Sequence, residues 1–117
     1  MENGILVLSA NKKQSLWICD VLDEQNYPAT PIHPKRNLAK FIQNSRCNVL
    51  ILDLDTIPAD KNLFRKLKKS KPSLCIVGLS SRAFHPELEE AMSNHIYACL
   101  SKPVDEDELV YWIKSLF

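Results

Sequence analysis

The chain has only two glycines in 117 residues, so it contains no glycine-rich loop that could cradle a phosphate on backbone N–H groups. Nothing therefore supports a nucleotide cofactor held in that way. Its four cysteines, Cys19, Cys47, Cys75 and Cys99, are widely separated, with no CxxC pair and no histidine at finger-like spacing. His33, His85 and His95 form no metal-ligand arrangement either. A zinc site and a disulfide framework are not expected, and the thiols read as reduced, mostly buried groups. No apolar run approaches the roughly 18 residues that cross a bilayer, and the beginning lacks a basic segment followed by a sustained hydrophobic one. No membrane partner is expected, and a cytoplasmic location follows as the default. Charge of one sign is missing as well: 15 basic and 14 acidic side chains leave +1, which makes no case for direct nucleic-acid binding.

What the chain has is enough apolar material, 45% of its residues, for a real core. One domain spanning 1–117 is expected. Short apolar runs alternate with amphipathic stretches. The strands are Ile5 to Leu8, Pro28 to Ile32, Val49 to Leu52, Leu74 to Leu79 and Tyr97 to Leu100. The helices are Ser15 to Glu24, Arg36 to Gln43, Asp60 to Lys69, Glu87 to Ser93 and Asp105 to Leu116. Continuous apolar strands separated by helices imply a parallel sheet covered on both faces. Pro28 and Pro31 each lack a ladder donor, which sends the second strand to an edge. The expected architecture is thus a doubly wound, flavodoxin-like α/β fold with five strands in the order 2-1-3-4-5 and five helices. In such a sheet the ligand-bearing loops lie at the carboxyl ends of the strands, where Asp53, Ser80 and Lys102 all fall.

Taken in order, Ile5-Leu6-Val7-Leu8, Asn48-Val49-Leu50-Ile51-Leu52-Asp53, Ile76-Val77-Gly78-Leu79-Ser80-Ser81 and Leu100-Ser101-Lys102-Pro103 resemble the receiver domain of bacterial two-component response regulators across essentially the whole chain. The resemblance implies that Asp53 accepts a phosphoryl group from a histidine kinase, that the Ser80 hydroxyl contacts that group, and that Lys102 pairs with it. The chemistry is sound by itself: a carboxylate can attack phosphorus, an ammonium can neutralise equatorial charge, and a hydroxyl can donate to an oxygen.

The resemblance is incomplete. Receiver domains hold magnesium with two acidic residues at the end of strand one plus the acceptor aspartate, and here Ser9 and Ala10 stand at those places, followed by Asn11. Magnesium prefers hard anionic oxygen, so weak binding is the most this set allows and no resident cofactor is expected. Asp55 either substitutes as a ligand, faces solvent or caps the turn before Pro58. Cys99 stands three residues before Lys102, where active receivers commonly carry a switch aromatic, and Pro58 lies five residues beyond Asp53 where the family usually has proline at four.

These departures leave several readings of the Asp53, Ser80 and Lys102 set open: a retained structural ion pair, competent phosphotransfer, or another ligand. The leading expectation is an atypical receiver that relays a signal through protein contacts, with phosphorylation at Asp53 weak or absent. The alternatives are a phosphoacceptor in a two-component phosphorelay and a structural dimerisation module. None of these is a conventional enzyme. The expected partners are a protein or output domain, a second copy of the chain, or a histidine kinase. The surface that the family uses maps to Pro86 through Ser93, Tyr97 through Leu100, and Asp105 through Leu116. A basic tract from Lys61 to Lys71 and an acidic later part, Glu87 to Glu108, could orient such a partner.

Overall fold

The computed structural model describes residues 4–34, 36–82 and 95–117. The chain runs β1 (Ile5–Leu8), α1 (Lys12–Glu24), β2 (Ala29–Ile32), α2 (Leu38–Gln43), β3 (Val49–Asp53), α3 (Lys61–Ser70), β4 (Cys75–Ser80), β5 (Ile96–Ser101) and α4 (Glu106–Ser115). All strand pairs are parallel, in the order β2-β1-β3-β4-β5. The sheet matches the expectation, but the helix count is corrected: four helices are present among the described residues, not five. The remaining expected helix, Glu87 to Ser93, lies outside the described residues.

Alternation along the strands divides the core. Leu8, Leu50, Leu52 and Ile76 face α2 and α3, where they pack with Ile42, Phe64 and Leu67. Val7, Val49, Ile51 and Val77 point the other way and pack with Ile18 and Leu22 of α1 and with Leu109 and Ile113 of α4. A strand buried on both faces must read as a continuous apolar run, and every residue of β3, Asp53 included, is buried. That burial fixes Asp53 at the end of the central strand.

Caps and close approaches set the boundaries. Asn11 accepts from the Gln14 backbone N–H at 3.1 Å, which starts α1 at Lys12, three residues before the expected start. Asp60 and Asp105 cap α3 and α4 in the same way. Gly4 sits so close to the chain before β3 that a Cβ there would collide with the Arg46 carbonyl oxygen, and its own carbonyl accepts from the N–H groups of Asn48 and Val49. Glycine at that position lets β3 enter the sheet beside β1.

Edge placement explains β2. Pro31 pairs in register with Val7, and the middle of the strand, Thr30 and Pro31, is exposed, which a central strand would not tolerate.

Candidate functional site

Parallel topology brings four strand ends to one rim of the sheet. β1 delivers Ser9, β3 delivers Asp53, β4 ends on Ser80, and β5 hands the chain to Lys102, whose backbone N–H donates to the Ser80 carbonyl at 2.9 Å. The Lys102–Pro103 peptide is cis. Asp53 is fully buried at the centre of this rim.

The Asp53 carboxylate is bonded on both oxygens. Oδ1 accepts from Lys102 Nζ at 2.7 Å and from the Asp55 N–H at 3.0 Å. Oδ2 accepts from Ser9 Oγ at 2.7 Å and from Thr56 Oγ1 at 2.9 Å. A carboxylate offers about four lone-pair positions, so four protein donors leave none of them to water. Thr56 is itself anchored, since its oxygen accepts from the Ala10 N–H at 3.0 Å. A second hydroxyl, Ser9 Oγ, accepts from the Asn11 N–H at 3.0 Å. The turn after β3 closes with the Ile57 N–H on the Asp53 carbonyl at 3.1 Å.

Burial by itself raises the Asp53 pKa, but the bonds from Lys102, Ser9, Thr56 and the Asp55 N–H together outweigh it and hold the carboxyl below its ordinary value. Lys102 is shifted the opposite way: desolvation lowers its pKa, but the two carboxylates it touches outweigh that effect, so the net shift is upward. Both partners stay ionised at neutral pH.

Lys102 also reaches Asp55 Oδ2 at 3.0 Å, so the ammonium bridges two carboxylates. Asp55 therefore neither faces solvent alone nor caps the turn before Pro58. Its carboxylate accepts from the Ser81 N–H at 2.9 Å and lies 3.4 Å from Ser80 Oγ. Of the sequence candidates, Asp53 and Lys102 are brought into direct contact, whereas the Ser80 hydroxyl meets Asp55 rather than Asp53. Thr56 was not among the candidates. Its signal was a hydroxyl three residues after a buried aspartate, within reach of that carboxylate when the intervening chain turns.

The donor set on the β1 side does not fit magnesium. Ser9 and Thr56 are neutral and turn their hydrogens toward Asp53, Ala10 has no side-chain oxygen, and Asn11 uses its Oδ1 to cap α1. Asp55, the nearby carboxylate among the described residues, lies on the Lys102 side of Asp53. Among the described residues no group of three or more metal-binding side chains comes together. Magnesium seeks near-octahedral oxygen with anionic character, and this rim offers it hydroxyl hydrogens instead.

No family model matches the chain, and no curated protein matches it in sequence. Solved structures do. A beryllofluoride-activated NtrC4 receiver domain dimer superposes with a TM-score of 0.83 at 20% identity, covering 97% of this chain and 94% of that one. The receiver domain of a sensor histidine kinase from Pseudomonas aeruginosa, which has a magnesium ion coordinated in its active-site cleft, gives 0.79 at 17% identity over 99% and 98% of the chains. A pilus assembly protein, cpaE, from Burkholderia thailandensis gives 0.72 at 21% over 99% and 98%. The chain has the receiver-domain fold. Identities this low speak for the fold alone.

The fold also places the remaining cysteines, aromatics and charged residues. Cys99 is exposed, and its thiol is pushed up by desolvation and then by the nearby Asp55 charge. Cys19 and Cys47 are buried, with thiols raised to about 11, chiefly by burial, while Cys75 is half-buried. Tyr97 is exposed and packs edge-on against Trp112 of α4, ring centres 5.8 Å apart, so it leans on the last helix. Tyr111 adds a second edge contact to Trp112 at 5.3 Å. The basic tract is partly committed to local structure: Lys68 Nζ donates to the Leu74 carbonyl, and Lys71 Nζ to the carbonyls of Ser45 and Cys47. Glu106, Asp107 and Glu108 lie in the first turn of α4, where the helix dipole favours negative charge. No helix among the described residues is long and apolar enough to cross a membrane.

Proposed function

We propose that this chain is a receiver-type signalling domain, working in the cytoplasm, in which Asp53 is the phosphoacceptor and the output is carried by contacts with another protein. The observation that carries this reading is the Lys102–Asp53 pair, 2.7 Å apart, at the carboxyl end of the central strand of a receiver fold. In the reaction an Asp53 oxygen attacks the phosphorus of a kinase phosphohistidine. The P–O bond forms as the P–N bond breaks, and the leaving imidazole nitrogen keeps the electron pair and takes a proton from water. Lys102 neutralises charge on the transferring group. The attacking oxygen must first give up one of its present donors, and Oδ2 is the oxygen held by neutral side chains alone, the Ser9 and Thr56 hydroxyls.

A second reading, in which phosphorylation is weak or absent and the domain signals by contact alone, is favoured by those same hydroxyls, which stand where a divalent cation would need anionic oxygen. In both readings the contact surface is the exposed aromatic patch of Tyr97 and Tyr111 beside Trp112, and it would take an output domain or a second copy of the chain. Pro86 through Ser93, the rest of the surface expected from the sequence, lies outside the described residues.

Intact mass after treatment with a small acyl-phosphate donor, with and without magnesium, separates the two. A phosphate adduct on the wild-type chain that is lost in Asp53→Asn supports the phosphoacceptor reading. No adduct under conditions that label a competent receiver leaves the contact-only reading.

A further inference from the structure

Ser80 and Lys102 are the two side chains expected to hold a phosphoryl group on Asp53, yet both are engaged by a carboxylate of the chain itself. Asp55 Oδ2 accepts from Lys102 Nζ at 3.0 Å and from the Ser81 backbone N–H at 2.9 Å, and Asp55 Oδ1 lies 3.4 Å from Ser80 Oγ. The Ser80 contact is the longest of the three, because the single hydroxyl proton is shared with the Arg82 carbonyl at 3.3 Å, while the same oxygen accepts from the Arg82 N–H at 2.9 Å. A hydroxyl, a backbone N–H and an ammonium from the ends of β4 and β5 thus converge on one anionic group.

We propose that Asp55 is a built-in occupant of an oxyanion site formed by Ser80 Oγ, the Ser81 N–H and Lys102 Nζ, so that a phosphoryl group on Asp53 must displace the Asp55 carboxylate to reach its donors. The site takes a tetrahedral or near-tetrahedral oxyanion carrying negative charge on its equatorial oxygens, as a phosphoryl group does. The geometry supports competition rather than cooperation. Lys102 carries one positive charge and already faces two carboxylates, and a phosphoryl group brings about two negative charges to the place where Asp53 carried one, so the added repulsion drives Asp55 out. Asp55 is free to leave, because its side chain is 20% exposed and hangs on a turn, whereas Asp53 is fully enclosed. With Asp55 in place, Ser80 and Lys102 are held by an anion even when Asp53 carries no phosphate. This inference rests on the receiver-type reading of Asp53, but the two can fail separately.

The test is a titration of the whole chain with beryllofluoride, a phosphoryl mimic, in magnesium-containing buffer, followed by the Ser81 amide resonance in ¹H–¹⁵N spectra. Wild type, Asp55→Ala and Asp55→Asn are compared. The expected result is saturation of Asp55→Ala at a concentration about tenfold lower than wild type, as one displaced charge-assisted contact predicts, with Asp55→Asn between them and the Ser81 amide moving in each titration. The exposed position of Asp55 keeps both variants folded, and the dispersion of the spectra verifies it. Equal saturation of wild type and Asp55→Ala, tighter binding by wild type, or no movement of the Ser81 amide in any variant overturns the proposal. Acyl-phosphate labelling of the same samples reads the parent assignment independently: beryllofluoride gained by Asp55→Ala with no adduct on Asp53 sinks the phosphoacceptor reading and leaves the oxyanion site standing, while equal labelling rates in wild type and Asp55→Ala with equal beryllofluoride affinity do the reverse.

Discussion

The two sides of the Asp53 carboxylate are built from different chemistry. On the β1 side Oδ2 meets two hydroxyls, Ser9 and Thr56, whereas on the β4 and β5 side Oδ1 meets the Lys102 ammonium, which also holds Asp55. Hydroxyls satisfy a buried carboxylate without bringing compensating charge, while the ammonium supplies charge and so draws in a second anion. A buried aspartate thus stays ionised with only neutral hydroxyls on one side, provided the other side supplies a cation.

The most severe way to break that asymmetry is to remove the charge. Lys102→Met leaves Asp53 buried with only neutral donors and releases Asp55, and the expected loss is about 3 kcal/mol of unfolding free energy, the low end for a broken buried pair because the lysine is partly exposed. Urea unfolding midpoints measure it. A loss below half of that size would mean that the hydroxyl side alone suffices to hold the carboxylate.

Removing a hydroxyl costs less. Thr56→Val keeps the shape but takes one donor from Asp53 Oδ2 and the acceptor from the Ala10 N–H. The expected loss is about 1–2 kcal/mol in the same unfolding measurement, and Ser9→Ala should fall in the same range. If both variants were as stable as wild type, Oδ2 would be satisfied in some other way and the neutral side would have no part in holding the site.

Acid provides a milder handle. Asp53 and Asp55 titrate below their ordinary value of 3.8 in the folded protein, so each contributes stability that is complete above that pH and is lost as the pH falls below it toward the folded value. Lys102 titrates above its ordinary 10.5, so its contribution is complete below that pH and is lost as the pH rises through the still higher folded value. Melting temperature should be level between these limits, as far as this site is concerned, and the acid limb should be shallower in Asp53→Asn than in wild type. An unchanged acid limb would place the depressed titration elsewhere.

The smallest expected effect is no effect at all. Added magnesium should leave the wild-type melting temperature unchanged, whereas Ser9→Asp combined with Ala10→Asp should lower it in the absence of metal, through repulsion with Asp53, and make it rise with magnesium. A wild-type rise of the same size would show that hydroxyl ligands are enough for the cation.

Much of the frame was legible locally. The runs Val49 to Leu52 and Leu74 to Leu79 read as buried strands, Pro31 marked an edge, and the helices expected from Asp60 and Asp105 start one residue later, with those aspartates as their caps. The role of Asn11 was not legible, because the same side chain serves as a cap or as a neutral metal oxygen, and only the position of the Gln14 N–H distinguishes the two. The fate of Tyr97 was also hidden: alternation gave its face of the strand, but its edge contact with Trp112 depends on where α4 returns to the sheet.

By itself the sequence determined the parallel sheet, its strand order and the arrival of Asp53, Ser80 and Lys102 at one rim, because apolar period, chain breaks and caps are properties of neighbouring residues. The tertiary structure alone decided which carboxylate each donor meets. Ser9, Thr56, Ser80, Ser81 and Lys102 come from four strand ends, and the path of the turn after β3 places Asp55, rather than Asp53, before Ser80 and Ser81. Hydrogen bonds reach only about 3 Å, so their pairing follows from the packing that sets those ends and not from spacing along the chain.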